Sequence, residues 1–263
     1  MDETDRQRWN KAAQDYQSTF LLGQNSYNAS LLRFWHETGM LHPGDRIIDV
    51  GCGVGKYGTW FAELGYDVTL VDISDRMLEH ARENMAKYTT PWNTYQCDFN
   101  QITGEELAFA GGFDLAISTM SPAIHDTVTA RKLNDMTRGW CFLSRFNSWE
   151  QPLRDVLMRD IGMEPRKAFD DLEGDCESML RILREAGFEA QVKTVDYNWA
   201  DGRTPEQMAD YMCRTYFTEE DDLLALREAF ITASRTRAGS DGRVNDNVNT
   251  TVKWMYWRTV SCK

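Results

Sequence analysis

The sequence predicts an α/β fold, with an open, largely parallel sheet covered by helices on both faces. Three observations carry that expectation. A short apolar run, Ile47-Ile48 with Val50, leads straight into Gly51, Gly53 and Gly55 and then into an amphipathic stretch bearing Tyr57, Trp60, Phe61 and Leu64. That order reads as buried strand, tight turn and helix. Strand-like runs at 66–71, 92–97 and 113–118 then alternate with helical ones. Two of them end in a carboxylate, Asp72 and Asp98. A glycine turn between strand and helix lets a ligand lie against bare backbone. The helix start beyond it offers unpaired N–H donors.

Taken in order, residues 5–22 read as a helix with Trp9, Ala12-Ala13, Tyr16 and Phe20 on one side. Residues 26–38 read as a second, carrying Tyr27, Leu31-Leu32, Phe34 and Trp35 and ended by Gly39 and Pro43-Gly44. The first strand follows, and its turn admits two ligands. Gly53-Val-Gly-Lys-Tyr-Gly58 satisfies the dinucleotide pattern G-x-G-x-x-G. Asp49, however, sits inside the strand just ahead of the first glycine, where it would repel a pyrophosphate and attract an ammonium or sulfonium. Asp72 ends the next strand roughly 20 residues after the turn, the position that takes ribose hydroxyls in either case. Ser74-Asp-Arg-Met77-Leu opens a helix behind a serine cap. Asp98-Phe99 follows the third strand, and Phe113-Asp-Leu-Ala-Ile-Ser118 is the fourth.

The run Asp49-Val-Gly51-Cys52-Gly53-Val-Gly55 resembles the first motif of class I S-adenosylmethionine-dependent methyltransferases, of the small-molecule type. The Asp72-Ile73-Ser74 to Met77 segment, Asp98-Phe99 and the Phe113–Ser118 strand resemble that family's next three motifs, in order and at its spacing. The likeness is close over about residues 45–120. It implies a Rossmann-like sheet of seven strands in the order 3-2-1-4-5-7-6, the last antiparallel. It also implies roles. Asp49 with Gly51, Cys52, Gly53 and Gly55 would hold the methionine moiety, and Asp72 the ribose. Ile73, Met77, Asp98 and Phe99 would surround the adenine, with Ser118 and Thr119 at the methyl end. Trp9 and Tyr16 match an early aromatic pattern that touches the cofactor; they serve equally to dock the first helix on the sheet.

The loop Ser118-Thr-Met120-Ser-Pro-Ala-Ile-His125-Asp126 leaves the carboxyl end of a central strand, where open α/β sheets bind ligands. Ser121-Pro-Ala-Ile has half of the [D/N/S]-P-P-[Y/F/W] pattern of amino-methyltransferases and lacks its second proline and aromatic. His125 is either a base for the acceptor or a cap for the next helix. Residues 126–138 read as that helix, 140–143 as the fifth strand with Trp149 beyond its end, 153–161 and 171–186 as helices, and 188–197 as the sixth strand. Residues 198–249 interrupt the fold with two helices, one opened by Thr204-Pro205 and one near 219–235, before a closing strand at 250–260. The expected organisation is one domain over 1–263, with 1–44 a helical cap and 198–249 a lid or a dimerisation element. Met120, His125, Trp149, Trp199, Tyr211 and Tyr216 are the candidate acceptor contacts.

Net charge is −12 and the isoelectric point about 4.8, so phosphate backbones are disfavoured partners. Six cysteines are scattered without a C-x-x-C pair, so no metal and no disulfide framework is expected. There is no signal peptide and no apolar run long enough for a membrane, and a cytoplasmic monomer or homodimer is expected. The sequence thus predicts methyl transfer from S-adenosylmethionine to a small molecule. A protein or RNA acceptor, an NAD-dependent oxidoreductase and a non-catalytic S-adenosylmethionine-binding protein are the other readings.

Overall fold

The computed structural model describes residues 3–20, 26–102, 112–167, 169, 171–218 and 220–259. The predicted helix end at 21–22, the helix start at 219, the strand end at 260 and Cys262 lie outside the described residues. The chain divides into two compact units. The first comprises Met1–Arg145, Cys176–Thr194 and Lys253–Lys263; the second comprises Phe146–Asp175 and Val195–Val252.

In the first unit, helices α1 (Glu3–Phe20) and α2 (Ser26–Glu37) precede the alternating core. That core runs β1 (Arg46–Val50), α3 (Lys56–Glu63), β2 (Asp67–Asp72), α4 (Asp75–Met85), β3 (Trp92–Gln96), β4 (Phe113–Thr119), α5 (Thr127–Asp135) and β5 (Thr137–Glu150). The sheet order is β3-β2-β1-β4-β5-β8-β6, where β6 is Gln191–Asp196 and β8 is Val244–Arg258. Strands β3 to β5 pair in parallel, and β8 enters antiparallel between β5 and β6. This is the predicted order with one more strand in the chain ahead of the last.

Ile47, Ile48 and Val50 are fully buried, as a parallel strand covered on both faces requires. Helix α3 lies close over β2 because Gly58 has no side chain; a Cβ there would stand 2.7 Å from Leu70 Cδ2. Ser74 caps α4 through its hydroxyl on the Met77 amide, 3.0 Å. Helix α1 is tied to α4 by Asn10, whose amide donates to Asp75 at 2.8 Å and whose carbonyl oxygen accepts from Ser74 Oγ at 2.6 Å. Helix α2 anchors through Trp35, stacked on Phe61 at 5.3 Å, and Tyr27, whose hydroxyl accepts from Trp254 Nε1 at 2.9 Å. Helix α7 (Leu172–Glu185) buries Cys176, Met179 and Leu183 in the same core.

The second unit holds α6 (Pro152–Asp160), β7 (Trp199–Arg203), α8 (Pro205–Tyr216) and α9 (Leu223–Arg235), with the outer parts of β5 and β8. Leu157 and Met158 of α6, Met208 and Met212 of α8, and Phe230 and Ile231 of α9 form its core. Thr204 and Gln207 cap α8 reciprocally, with Pro205 in the first turn. Strand β7 was not expected. It pairs antiparallel with β8, Trp199 opposite Val248 and Arg203 opposite Val244. Strand β5, at 14 residues, is far longer than the four expected, and β8, at 15 residues, begins at Val244 rather than at 250. In β8 the buried side is Val244, Asp246, Val248, Thr250 and Val252, so a period-two pattern exists but is written partly in polar residues.

Candidate functional site

At the carboxyl end of β1 the chain turns through Gly51, at φ 74°, and two further glycines before α3 begins. The amides of Gly51 and Cys52 both donate to the Val71 carbonyl, at 2.7 and 3.0 Å, which locks the turn to the end of β2. Asp72 completes the lock: its two carboxylate oxygens accept from the Gly53 and Ser74 amides, each at 2.9 Å. A Cβ on Gly51 would fall 1.9 Å from Ser121 Oγ, so the loop after β4 closes against the same turn. Three strand ends therefore converge where an open α/β sheet binds its ligand.

A cleft opens above them. Its base is Val50, Gly51 and Gly53, and Asp72 and Ile73 enter from the end of β2. Met77 of α4 and Cys97 and Phe99 after β3 form one side; Met120 to Ala123 form the other. Trp9 and Tyr16 of α1, edge to face at 6.1 Å, close it. Met120 holds φ at 50°, an uncommon conformation for a side-chain-bearing residue, at the point where β4 gives way to the loop.

The electrostatics centre on three acidic side chains at the strand ends, Asp49, Asp72 and Asp98. Asp49 is fully buried beneath the turn, and neither of its oxygens has a hydrogen-bond partner among the described residues. Burial, and then the neighbouring charge of Asp72, push its pKa up to about 8. Burial also raises the pKa of Asp72, against the amides that stabilise its charge. Asp98 Oδ1 accepts from the amide and side chain of Asn100, at 2.9 and 3.0 Å, while its buried Oδ2 lacks a partner among the described residues. Orphaned acceptors at the ends of β1 and β3, with Asp72 between them, match the ammonium, ribose and adenine amino group of S-adenosylmethionine in donor type.

A methyltransferase-domain family model matches residues 47–139. Those residues therefore form a methyltransferase domain, and the fold is shared with S-adenosylmethionine-dependent methyltransferases. It is 27% identical over 179 residues to a ubiquinone biosynthesis O-methyltransferase of Thiobacillus denitrificans, which covers 62% of this chain and 73% of that relative. It is 35% identical over 83 residues to a putative methyltransferase of Bacillus subtilis, covering 32% of this chain. The chain spans only 31% of the length of that second relative in this match. Among solved structures, the magnesium protoporphyrin IX methyltransferase of Synechocystis, crystallised with S-adenosylhomocysteine, shares the fold with a TM-score of 0.53. Its identity is 17%, over 97% of this chain and 99% of that one.

In this chain, Trp9, Tyr16, Gly51, Gly53, Asp72, Ile73, Met77, Phe99 and Met120 of the expected set line the cleft. Asp49, buried beneath the turn, and Asp98, next to Phe99 in the chain, stand behind the lining, and the remaining residues sit elsewhere. The Cys52 thiol is buried and faces the Gly53 carbonyl at 3.5 Å. Gly55 lies against Leu70 and Ala81, in the contact between helix and sheet. Ser118 donates to the Val50 carbonyl at 2.8 Å, pinning β4 to β1, and Thr119 is buried opposite Ser144 of β5. His125 is exposed at the start of α5, with Nδ1 3.2 Å from the Pro122 carbonyl and Nε2 3.9 Å from Asp126; it is not among the residues lining the cleft. In the second unit, Trp149 and Trp199 meet edge to face at 5.1 Å. Tyr211 and Tyr216 both donate to Gln151 Oε1, at 3.3 and 2.6 Å.

Sequence reasoning missed Val50, Val71 and Cys97; it placed the Ser118–Asp126 loop at the ligand end without singling out Ser121, Pro122 and Ala123. One signal for the first two existed: Val50 and Val71 are register partners one residue from the glycine turn and from Asp72. Cys97 and Ala123 have no chemistry that marks them.

Proposed function

We propose that this protein transfers a methyl group from S-adenosylmethionine to a small-molecule acceptor. The observation that carries the reading is the row of carboxylates at the ends of β1, β2 and β3. Two of them keep buried oxygens that no described residue satisfies. Buried unpaired acceptors cost about 1–3 kcal/mol each, and a ligand bearing an ammonium, a ribose diol and an amino group offsets that cost.

Bound S-adenosylmethionine supplies an electrophilic methyl on a sulfonium that leaves as a neutral thioether. The chain's own part is placement. Asp72, held by two amides, takes the ribose hydroxyls; Asp98 Oδ2 takes the adenine amino hydrogens; the glycine turn, with Asp49 beneath it, takes the methionine end. Phe99 and Ile73 cover the base, and Trp9 and Tyr16 shut out water. Met120 and the loop to Ala123 form the acceptor side. Alignment of a nucleophile with the sulfonium supplies most of what such a displacement needs, so the position of His125 outside the lining is compatible with the reaction. A net charge of −12 favours a small acceptor over a nucleic acid.

Thermal unfolding with S-adenosylhomocysteine, S-adenosylmethionine and NAD, side by side, tests this. A ligand at about 100 times its dissociation constant stabilises by about 2.7 kcal/mol, on the order of 5–10 °C for a chain of this size. A shift with the adenosyl ligands alone, lost in Asp72→Ala, is the expected result. A shift with NAD alone would overturn the reading.

A further inference from the structure

One side of the cleft in the first unit is a single short stretch, Cys97 to Ile102, tied at both of its ends. The Cys97 amide donates to the Asp72 carbonyl at 3.1 Å as the chain leaves β3. The Asp98 carbonyl then accepts from the amides of Gln101 and Ile102, at 2.9 and 3.2 Å, so residues 98–102 wind into one helical turn. Asp98 Oδ1 closes the front of that turn on the Asn100 amide at 2.9 Å. The next two carbonyls, of Phe99 and Asn100, accept from one group. It is the Nζ of Lys132, 3.3 Å from the Phe99 oxygen and hydrogen-bonded to the Asn100 oxygen as well.

Lys132 belongs to α5, 32 residues beyond Asn100 in the chain. That helix is a firm base. Asp126 and Thr129 cap it reciprocally, and Asn134 accepts from Trp257 Nε1 at 3.1 Å. Ala130 and Leu133 of α5 share an apolar core with Phe99 and Ile102. Apolar burial holds the turn near the helix, but it is non-directional and leaves the rotation of the turn open. A cation donating to two successive carbonyls closes that freedom, because hydrogen bonds weaken steeply with angle. An ammonium is also the group that the carbonyl end of a helical turn favours.

What the rotation decides is the place of a ring. Phe99 lines the cleft yet is only 2% exposed, so it presents one edge of the core to the site. Turning the 98–102 segment would draw that ring back into the core or push it across the cleft. Lys132 is not among the residues lining the cleft. Whatever it does for a ligand, it does through the turn.

We propose that Lys132 is a positioning residue for the base of the cofactor: by donating to the Phe99 and Asn100 carbonyls, it sets the Phe99 ring where it packs against the adenine. This rests on the methyl-transfer reading, which puts the base beside Phe99. It also divides the cleft. The base half depends on Lys132, whereas the ribose and methionine half, built on Asp72 and the glycine turn, does not.

The test compares two ligands that differ only in the base. S-adenosylhomocysteine is titrated into the full chain by calorimetry, and S-ribosylhomocysteine, which keeps the ribose and the amino acid and lacks the adenine, by ligand-observed NMR at millimolar concentration. In Lys132→Met, S-adenosylhomocysteine is expected to bind about tenfold more weakly, the loss of hydrogen bonds to a charged donor. S-ribosylhomocysteine should change by less than about twofold, because its contacts lie away from the turn. Lys132→Arg, which keeps a cationic donor, should retain most of the affinity for S-adenosylhomocysteine. Lys132→Gln replaces the methionine variant if that one does not fold. Unchanged S-adenosylhomocysteine binding in Lys132→Met, an equal loss for both ligands, or an equal loss in Lys132→Arg would each overturn the proposal and leave methyl transfer standing. A wild-type chain that binds no S-adenosylhomocysteine would overturn the methyl-transfer reading itself, and this inference with it.

Discussion

Asp49 is a carboxyl with neither solvent nor, among the described residues, a hydrogen-bond partner. Its folded pKa is about 8, whereas an unfolded aspartate titrates near 4. The folded state therefore keeps a proton that the unfolded chain gives up. With the folded value the higher one, the associated stability is complete below about pH 4 and is lost as pH rises through about 8. Asp49→Asn is neutral at every pH. Urea midpoints of the two proteins are expected to diverge between pH 5 and 9, the wild type falling by on the order of 1–3 kcal/mol relative to the variant. Parallel curves would refute the burial argument. Gly51→Ala tests the turn itself. It demands φ near 74° of a residue with a Cβ and drives that carbon into Ser121. A stability loss of about 1–3 kcal/mol and at least a tenfold loss of S-adenosylhomocysteine affinity are expected, by denaturation and calorimetry. Asp49, Gly51 and Asp72 were legible in the sequence because each is a residue type with a chemical reason to stand at a strand end. Ser118 and Gly55 were legible as positions but not as roles. Whether a side chain faces a ligand or pins a neighbouring strand is decided by partners far along the chain.

Strand and helix were legible to different degrees. Helix α8 announces itself by Thr204-Pro205-Glu206-Gln207, a cap that works locally and so survives reading without tertiary context. Strand β7 is Trp-Ala-Asp-Gly-Arg, and its aspartate and glycine are depleted in strands. It exists because of what lies across from it. Arg203 donates to Asp201 at 2.8 Å and to Asp246 at 2.7 Å, and Asp246, fully buried, also accepts from Gln151 at 2.6 Å. No local pattern can report a partner 43 residues away. Removing one member of such a pair leaves a buried charge, which costs about 3–5 kcal/mol. Arg203→Met is expected to destabilise by about 3 kcal/mol at pH 7. The penalty shrinks toward pH 5, because burial already raises the pKa of Asp246 and its protonated form carries no charge to strand. Denaturation at the two pH values measures it, and an equal penalty at both would refute the role given to Asp246.

Over the whole molecule, the order of the first five strands was foreseen only through the resemblance that the motifs of the first half carry, while the second unit showed only its helices. The acidic surface has an outcome of its own: at 150 mM salt, transfer RNA should migrate unshifted with this protein at micromolar concentration, and a retarded band would reopen an RNA acceptor. The sheet order has a further consequence, for synthesis. Strand β8 lies between β5 and β6, yet its share of the first unit is made of residues 253–258, behind the whole of the second unit in the chain. While a ribosome is still making residues 195–252, β6 has emerged without its partner and β5 presents a bare strand edge, the kind of surface that invites pairing with another chain. Chaperone demand during translation is therefore set by how quickly those 58 intervening residues are made. A pause there would prolong the interval in which the nascent sheet has an open side.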